Sequence, residues 1–122
     1  MVKSSGHSIL VVDDETNFLT LLRWILTSRG YEVFTASNRD EAVRLMEARS
    51  FDLALIDIRL GPVDGANLIL ELKQYAPSIK IVMMTAYPTV AAIKKSFDGG
   101  ASTLLTKPID LQQLLNTIQV LL

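Results

Sequence analysis

The 122-residue sequence contains no cysteine, one histidine and one tryptophan. Without cysteine there is no disulfide scaffold, no zinc knuckle and no thiol nucleophile, a composition suited to a reducing compartment. A surplus of charge is missing as well, since 12 basic side chains stand against 13 acidic ones for a net charge of −1. Binding by neutralisation of phosphates needs a basic excess, so nucleic acid is not an expected partner of this domain. Long apolar runs are absent too. The longest uncharged stretch, Ile81–Ile93, is broken by Pro88 and falls short of the roughly 18 apolar residues of a membrane span. Near the start, Ile9–Val12 meets Asp13, Asp14 and Glu15 too soon to form the apolar core of a signal peptide. Together these absences predict a cytoplasmic chain with no membrane contact.

What is present suits a globular domain: 49% of the residues are hydrophobic and 20% charged. At roughly 150 residues per domain the length allows one, which buries roughly two-thirds of the surface its unfolded chain exposes. Residues 1–7 read as a loose arm and residues 8–122 as the domain. Five short aliphatic or β-branched runs, Ile9–Val12, Tyr31–Ala36, Leu53–Asp57, Lys80–Thr85 and Ser102–Thr106, alternate with segments of helical periodicity. Four of the runs are continuously apolar, as in parallel strands covered on both faces, whereas the second alternates and belongs nearer an edge.

The helical segments carry their own boundary signals. Phe18, Leu21, Leu22, Ile25 and Leu26 form an apolar stripe that Gly30 ends. Asn38 and Glu41 stand at capping-box spacing before Ala42, Leu45 and Met46. The third segment follows Gly65 with Leu68, Ile69 and Leu72, and stops before Pro77. The fourth begins near Pro88, presents Val90, Ile93 and Phe97 at core spacing, and ends at Gly99 and Gly100. In the fifth, Asp110 and Gln113 open a run of Leu111, Leu114, Leu115, Ile118 and Leu122. Such a (βα)5 alternation predicts right-handed crossovers and a three-layer α/β/α sandwich around a five-stranded parallel sheet.

Polar residues end four of the buried runs: Asp13 and Asp14, Asp57, Thr85, and Lys107. In a parallel sheet they share the carboxyl edge, where open α/β folds bind ligands. Three carboxylates brought together repel, so one is protonated or a cation joins them. A donor set of oxygen alone favours Mg²⁺. With the metal and the Lys107 ammonium the formal charge sums to about zero, which leaves room for an anion. A cation, an amine and a hydroxyl aimed at one carboxylate suit phosphoryl transfer. Asp57, alone at the central strand end, is the expected acceptor.

The strand ends Val12-Asp13-Asp14-Glu15 and Leu55-Ile56-Asp57-Ile58, the pair Asp64-Gly65, the run Met84-Thr85-Ala86, and Gly100-Ala101 leading to Thr106-Lys107-Pro108 together resemble the receiver domain of two-component response regulators. The likeness spans about Ser8 to Leu122. Met84-Thr85-Ala86-Tyr87 is most similar to receivers attached to enhancer-binding transcriptional activators. The resemblance implies the flavodoxin-like strand order 2-1-3-4-5 and phosphorylation of Asp57 by the phosphohistidine of a sensor histidine kinase or phosphotransfer domain. Asp13, Asp14, Asp57 and the Arg59 backbone carbonyl would hold Mg²⁺, and Lys107 and Thr85 would contact the phosphoryl oxygens. A cis Lys107–Pro108 bond is implied, as are an output domain or downstream partner and a possible homodimer through the fourth helix, fifth strand and fifth helix.

Taken singly, these residues have plainer readings. Asp13, Asp14 and Glu15 suit a helix start, Asp57 a turn, Lys107 a solvated loop and Thr85 an ordinary strand end. Their conjunction is what favours a site. His7 and Trp24 have no assigned role, and Lys94 and Lys95 are expected on the solvent face of the fourth helix. The sequence departs from the family pattern where Gly61 precedes Pro62 after Asp57, and where Leu104 replaces the usual aromatic of the fifth strand. The expected switch therefore runs from Thr85 through repacking of Leu104 or movement of Tyr87, while Arg59 and Tyr87 flank the path of hydrolytic water. Competing readings are an aspartate-nucleophile phosphohydrolase, which needs an acid where Arg59 stands, and a binding module without phosphate control. A flavin carrier fits less well, because acids follow the first strand.

Overall fold

A computed structural model describes residues 6–61 and 63–122. Most of the expected arm, Met1–Ser5, lies outside the described residues, as does Pro62. The strands are β1 (Ser8–Val12), β2 (Glu32–Ala36), β3 (Leu53–Asp57), β4 (Lys80–Thr85) and β5 (Thr103–Thr106). They form one five-stranded parallel sheet in the order β2-β1-β3-β4-β5, as expected. The helices are α1 (Thr16–Ser28), α2 (Arg39–Ala48), α3 (Gly65–Tyr75), α4 (Val90–Gly99) and α5 (Leu111–Leu121). After β3, Arg59–Leu60 and Val63–Asp64 pair as a small antiparallel hairpin.

The continuous apolar runs divide between two cores because successive strand residues point to opposite faces. Ile9, Val11, Leu53, Leu55, Val82 and Met84 pack with Leu19, Leu22 and Leu26 of α1 and Leu114 and Ile118 of α5. Leu10, Val12, Ala54, Ile56, Ile81 and Met83 pack with Met46 of α2 and Leu68, Ile69 and Leu72 of α3. No helix among the described residues is long and apolar enough to cross a membrane.

Local chemistry sets the helix ends. At the end of α1, Gly30 has φ +93°, and the Tyr31 and Gly30 amides donate to the Leu26 and Thr27 carbonyls, closing a Schellman motif. Asn38 accepts from the Glu41 amide at 2.9 Å. The Glu41 carboxylate returns to Ser37 and to the Asn38 side-chain amide, a variant of the capping box displaced by one residue. Asp110 caps α5 through the Gln113 amide at 3.0 Å.

Two expectations need correction. Strand β5 is the second edge and is covered only in part: Leu105 is buried on one face, while Thr103 and Leu104 are half-buried and Thr106 is exposed. Helix α4 does not bury its apolar stripe. Val90 is 83% and Phe97 46% exposed, and the buried side chain is Ser96, whose hydroxyl donates to the Ala92 carbonyl at 2.9 Å. Self-satisfaction of that hydroxyl allows a small polar residue to take the inward position.

Candidate functional site

Parallel register carries the four polar strand ends to one rim. Val12 lies beside both Ala36 and Ile56, Asp57 beside Met84, and Thr85 beside Thr106. Backbone bonds continue past the strands: the Asp13 amide donates to Ala36 at 3.1 Å, Ile58 to Met84 at 2.9 Å and Lys107 to Thr85 at 2.7 Å. The Lys107–Pro108 bond is cis. These bonds fix the stems of Asp13, Asp57 and Lys107.

Lys107 Nζ lies 2.7 Å from Asp13 Oδ2 and 2.9 Å from Asp57 Oδ2, bridging residues 94 and 50 positions away. The second oxygen of each acid is held by a nearby amide, Asp13 Oδ1 by Glu15 and Asp57 Oδ1 by Arg59, both at 2.9 Å. Asp14 is exposed and accepts from the Gly61 amide at 3.2 Å. Asp13, Asp14 and Asp57 each offer an oxygen within 4.8 Å of the others. Together they supply the oxygen donors that a hard divalent ion takes.

Burial dominates the electrostatics of Asp13. It pushes that carboxyl above its ordinary range, against the hydrogen bonds from Lys107 and the Glu15 amide, and the Asp57 charge pushes the same way. Burial alone would lower the Lys107 ammonium, but its bonds to Asp13 and Asp57 outweigh that and raise it. The ammonium therefore stays charged at the centre of the cluster. Buried pairs of this kind are costly to break, because removing one partner strands the other charge away from water.

Thr85 is buried, and its hydroxyl oxygen accepts from the Tyr87 amide at 3.0 Å. Tyr87 is exposed, and the Arg59 guanidinium lies over its ring, 4.7 Å from the centroid. Leu104 sits apart, beside Met83 in the sheet, half-buried against the core on the α2 and α3 side.

Three residues of this region escaped sequence reasoning. Phe18 reads as a core position of α1, yet its ring lies 4.8 Å from Lys107 Nζ. Its signal is position: it stands one turn into the helix that starts at the acids, and helical side chains lean back toward the N-terminus. Asp64 caps α3 by accepting from Ala66 at 2.9 Å and also accepts from Lys95 Nζ at 2.7 Å. Burial opposes ionisation of Asp64, but the bonds from Lys95 and the Ala66 amide outweigh it and hold its carboxyl below the usual range. Lys95, expected on the solvent face, therefore reaches back to the α3 start, while Lys94 pairs with Asp98 on its own helix.

Fold and rim together have the form of a receiver domain. Residues 9–119 match the response regulator receiver domain family, and the chain belongs to that family. It is 38% identical over 110 residues to the transcriptional regulatory protein ZraR of Klebsiella oxytoca, covering 90% of this chain and 25% of that protein. The chain thus spans about a quarter of the length of such relatives. A response regulator of Burkholderia pseudomallei, solved with a phosphorylated aspartic acid, calcium ion and citrate, superposes with a TM-score of 0.86 at 34% identity, covering 90% of this chain and 65% of that one. A CheY-like receiver domain protein of Methanospirillum hungatei superposes with a TM-score of 0.88 at 33% identity, covering 98% and 92%.

Proposed function

We propose that residues 8–122 act as a phosphorylation switch in which Asp57 accepts a phosphoryl group from the phosphohistidine of a sensor kinase or phosphotransfer domain. The observation that carries this reading is the Lys107 ammonium bonded to both Asp13 and Asp57, with Asp14 beside them. In the transfer, an Asp57 carboxylate oxygen bonds to phosphorus as the N–P bond breaks, and the imidazole keeps that electron pair. Asp13, Asp14, Asp57 and the Arg59 carbonyl would hold Mg²⁺, which would supply charge neutralisation to the transferring group. Lys107 turns its ammonium to the new phosphoryl oxygens, and the Thr85 hydroxyl donates its proton toward them. The donor imidazole belongs to the partner, so the domain is a stoichiometric acceptor with slow self-dephosphorylation, and not a turnover enzyme.

Arg59 and Tyr87, whose amides donate to the side chains of Asp57 and Thr85 and whose side chains stack on each other, support a role in flanking the path of hydrolytic water and setting the lifetime of the acyl phosphate. Movement of Thr85, Tyr87 and Leu104 then alters the surface of α4, β5 and α5, which serves a homodimer, an output domain or a downstream protein. Likeness to ZraR and its relatives favours transcription regulation, in the cytoplasm, as the output. Incubation with Mg²⁺ and acetyl phosphate followed by intact mass tests the reading. One phosphoryl adduct is expected on the wild type and none on Asp57→Asn; an unlabelled wild type, or equal labelling of both, overturns it.

A further inference from the structure

Helix α4 has an unusual attachment. Its buried side chain is Ser96, its apolar residues Val90 and Phe97 face outward, and Lys94 pairs within the helix. Among the described residues, Lys95–Asp64 is the one ion pair that α4 makes to another element. Asp64 is not a passive anchor. It is the last residue of the hairpin that follows Asp57, directly opposite Arg59 in the two-residue ladder. The Arg59 amide, in turn, donates to Asp57 Oδ1. Three adjacent links therefore run from the acceptor carboxylate to α4: the Arg59 amide, the Arg59–Asp64 cross-pair and the Lys95 ion pair.

The hairpin is closed at its base, since the Gly65 amide donates to the Ile58 carbonyl at 2.6 Å. It is held at its side by the Arg59 guanidinium on the Tyr87 ring in the segment leading to α4. Arg59 and Asp64 are thereby tied to each other across the ladder. An ionised carboxylate is a strong acceptor for the Arg59 amide, and an acyl phosphate replaces it with a weaker, neutral carbonyl or a redirected oxygen. A change at Asp57 is therefore felt at the first residue of the hairpin and delivered at its last.

We infer that the Arg59–Asp64 cross-pair is a lever between the acceptor and α4, with Asp64 and Lys95 as its positioning residues. The inference rests on Asp57 being the phosphoacceptor. Its strength is bounded: an exposed ion pair passes on at most about a fivefold change in an equilibrium, because the shift cannot exceed the difference in interaction between the two states.

The test is amide hydrogen exchange of the full chain with and without Mg²⁺ and acetyl phosphate, with intact mass reporting the phosphoryl occupancy of each sample. Wild type, Lys95→Met, Lys95→Arg and Asp64→Asn are compared; the asparagine keeps an acceptor for the Ala66 amide. The wild type should change α4 exchange about twofold to fivefold on labelling. In Lys95→Met and Asp64→Asn that difference should shrink while labelling and the response of the Arg59–Leu60 amides persist, and Lys95→Arg should restore it. If the pair only braces α4, both states of Lys95→Met exchange faster by the same factor and the labelling-dependent difference survives undiminished, which overturns the lever. A labelled wild type with an unresponsive α4 overturns it alone, whereas an unlabelled wild type removes the phosphoacceptor reading together with it.

Discussion

Helices α3 and α4 pack against each other yet are built on opposite terms. Helix α3 buries Gly65, Ala66, Leu68, Ile69 and Leu72, whereas α4 buries Ser96 and leaves Val90 and Phe97 in solvent. Of two neighbours, one is part of the core and the other rests on it. Elements with few buried apolar contacts open and shift more readily than those that share the core. A receiver needs both kinds, a frame that keeps the acids in place and a surface that can change.

Leu72→Ala should break the firm side of this contrast. Its side chain is fully buried, and truncation should cost about 2–5 kcal/mol of unfolding free energy in a urea titration. A loss below about 1 kcal/mol would mean that α3 is no better anchored than α4. Gly65→Ala comes next, because a Cβ there would lie 2.1 Å from the Asp57 carbonyl oxygen. Forcing the backbones apart should cost about 1–3 kcal/mol and also slow labelling of Asp57 by acetyl phosphate. Unchanged labelling would separate the start of α3 from the site. The smallest effect belongs to Val90→Ser at an 83% exposed position, expected within about 0.5 kcal/mol of wild type. A larger loss would place Val90 in a packed interface and dissolve the contrast.

The same two helices mark the limits of reading the sequence. For α3, hydrophobic spacing and burial agree at Leu68, Ile69 and Leu72, because a helix that completes a core must present a continuous apolar stripe. In α4 an equally regular stripe of Val90, Ile93 and Phe97 points to a core that the structure does not supply at Val90 and Phe97. Spacing reports which residues share a face and is silent on whether that face is covered. The meeting of Asp13, Asp14, Asp57 and Lys107 was legible because each stands at or just past the carboxyl end of a strand, and parallel pairing leaves those ends a common edge. The Asp64–Lys95 bridge was not, since it joins two elements 31 residues apart through one rotamer each. Phe18 hid for a related reason: its proximity to Lys107 depends on how α1 leans over the rim.

The Thr85 hydroxyl already receives the Tyr87 amide proton. One lone pair is thereby engaged while its own hydrogen is left to give away, so the group is biased to address an incoming oxygen. It is in effect a detector of one polarity. A trigonal or tetrahedral oxyanion offers that hydrogen an acceptor, whereas an ammonium delivered to the same rim, a donor only, offers it none.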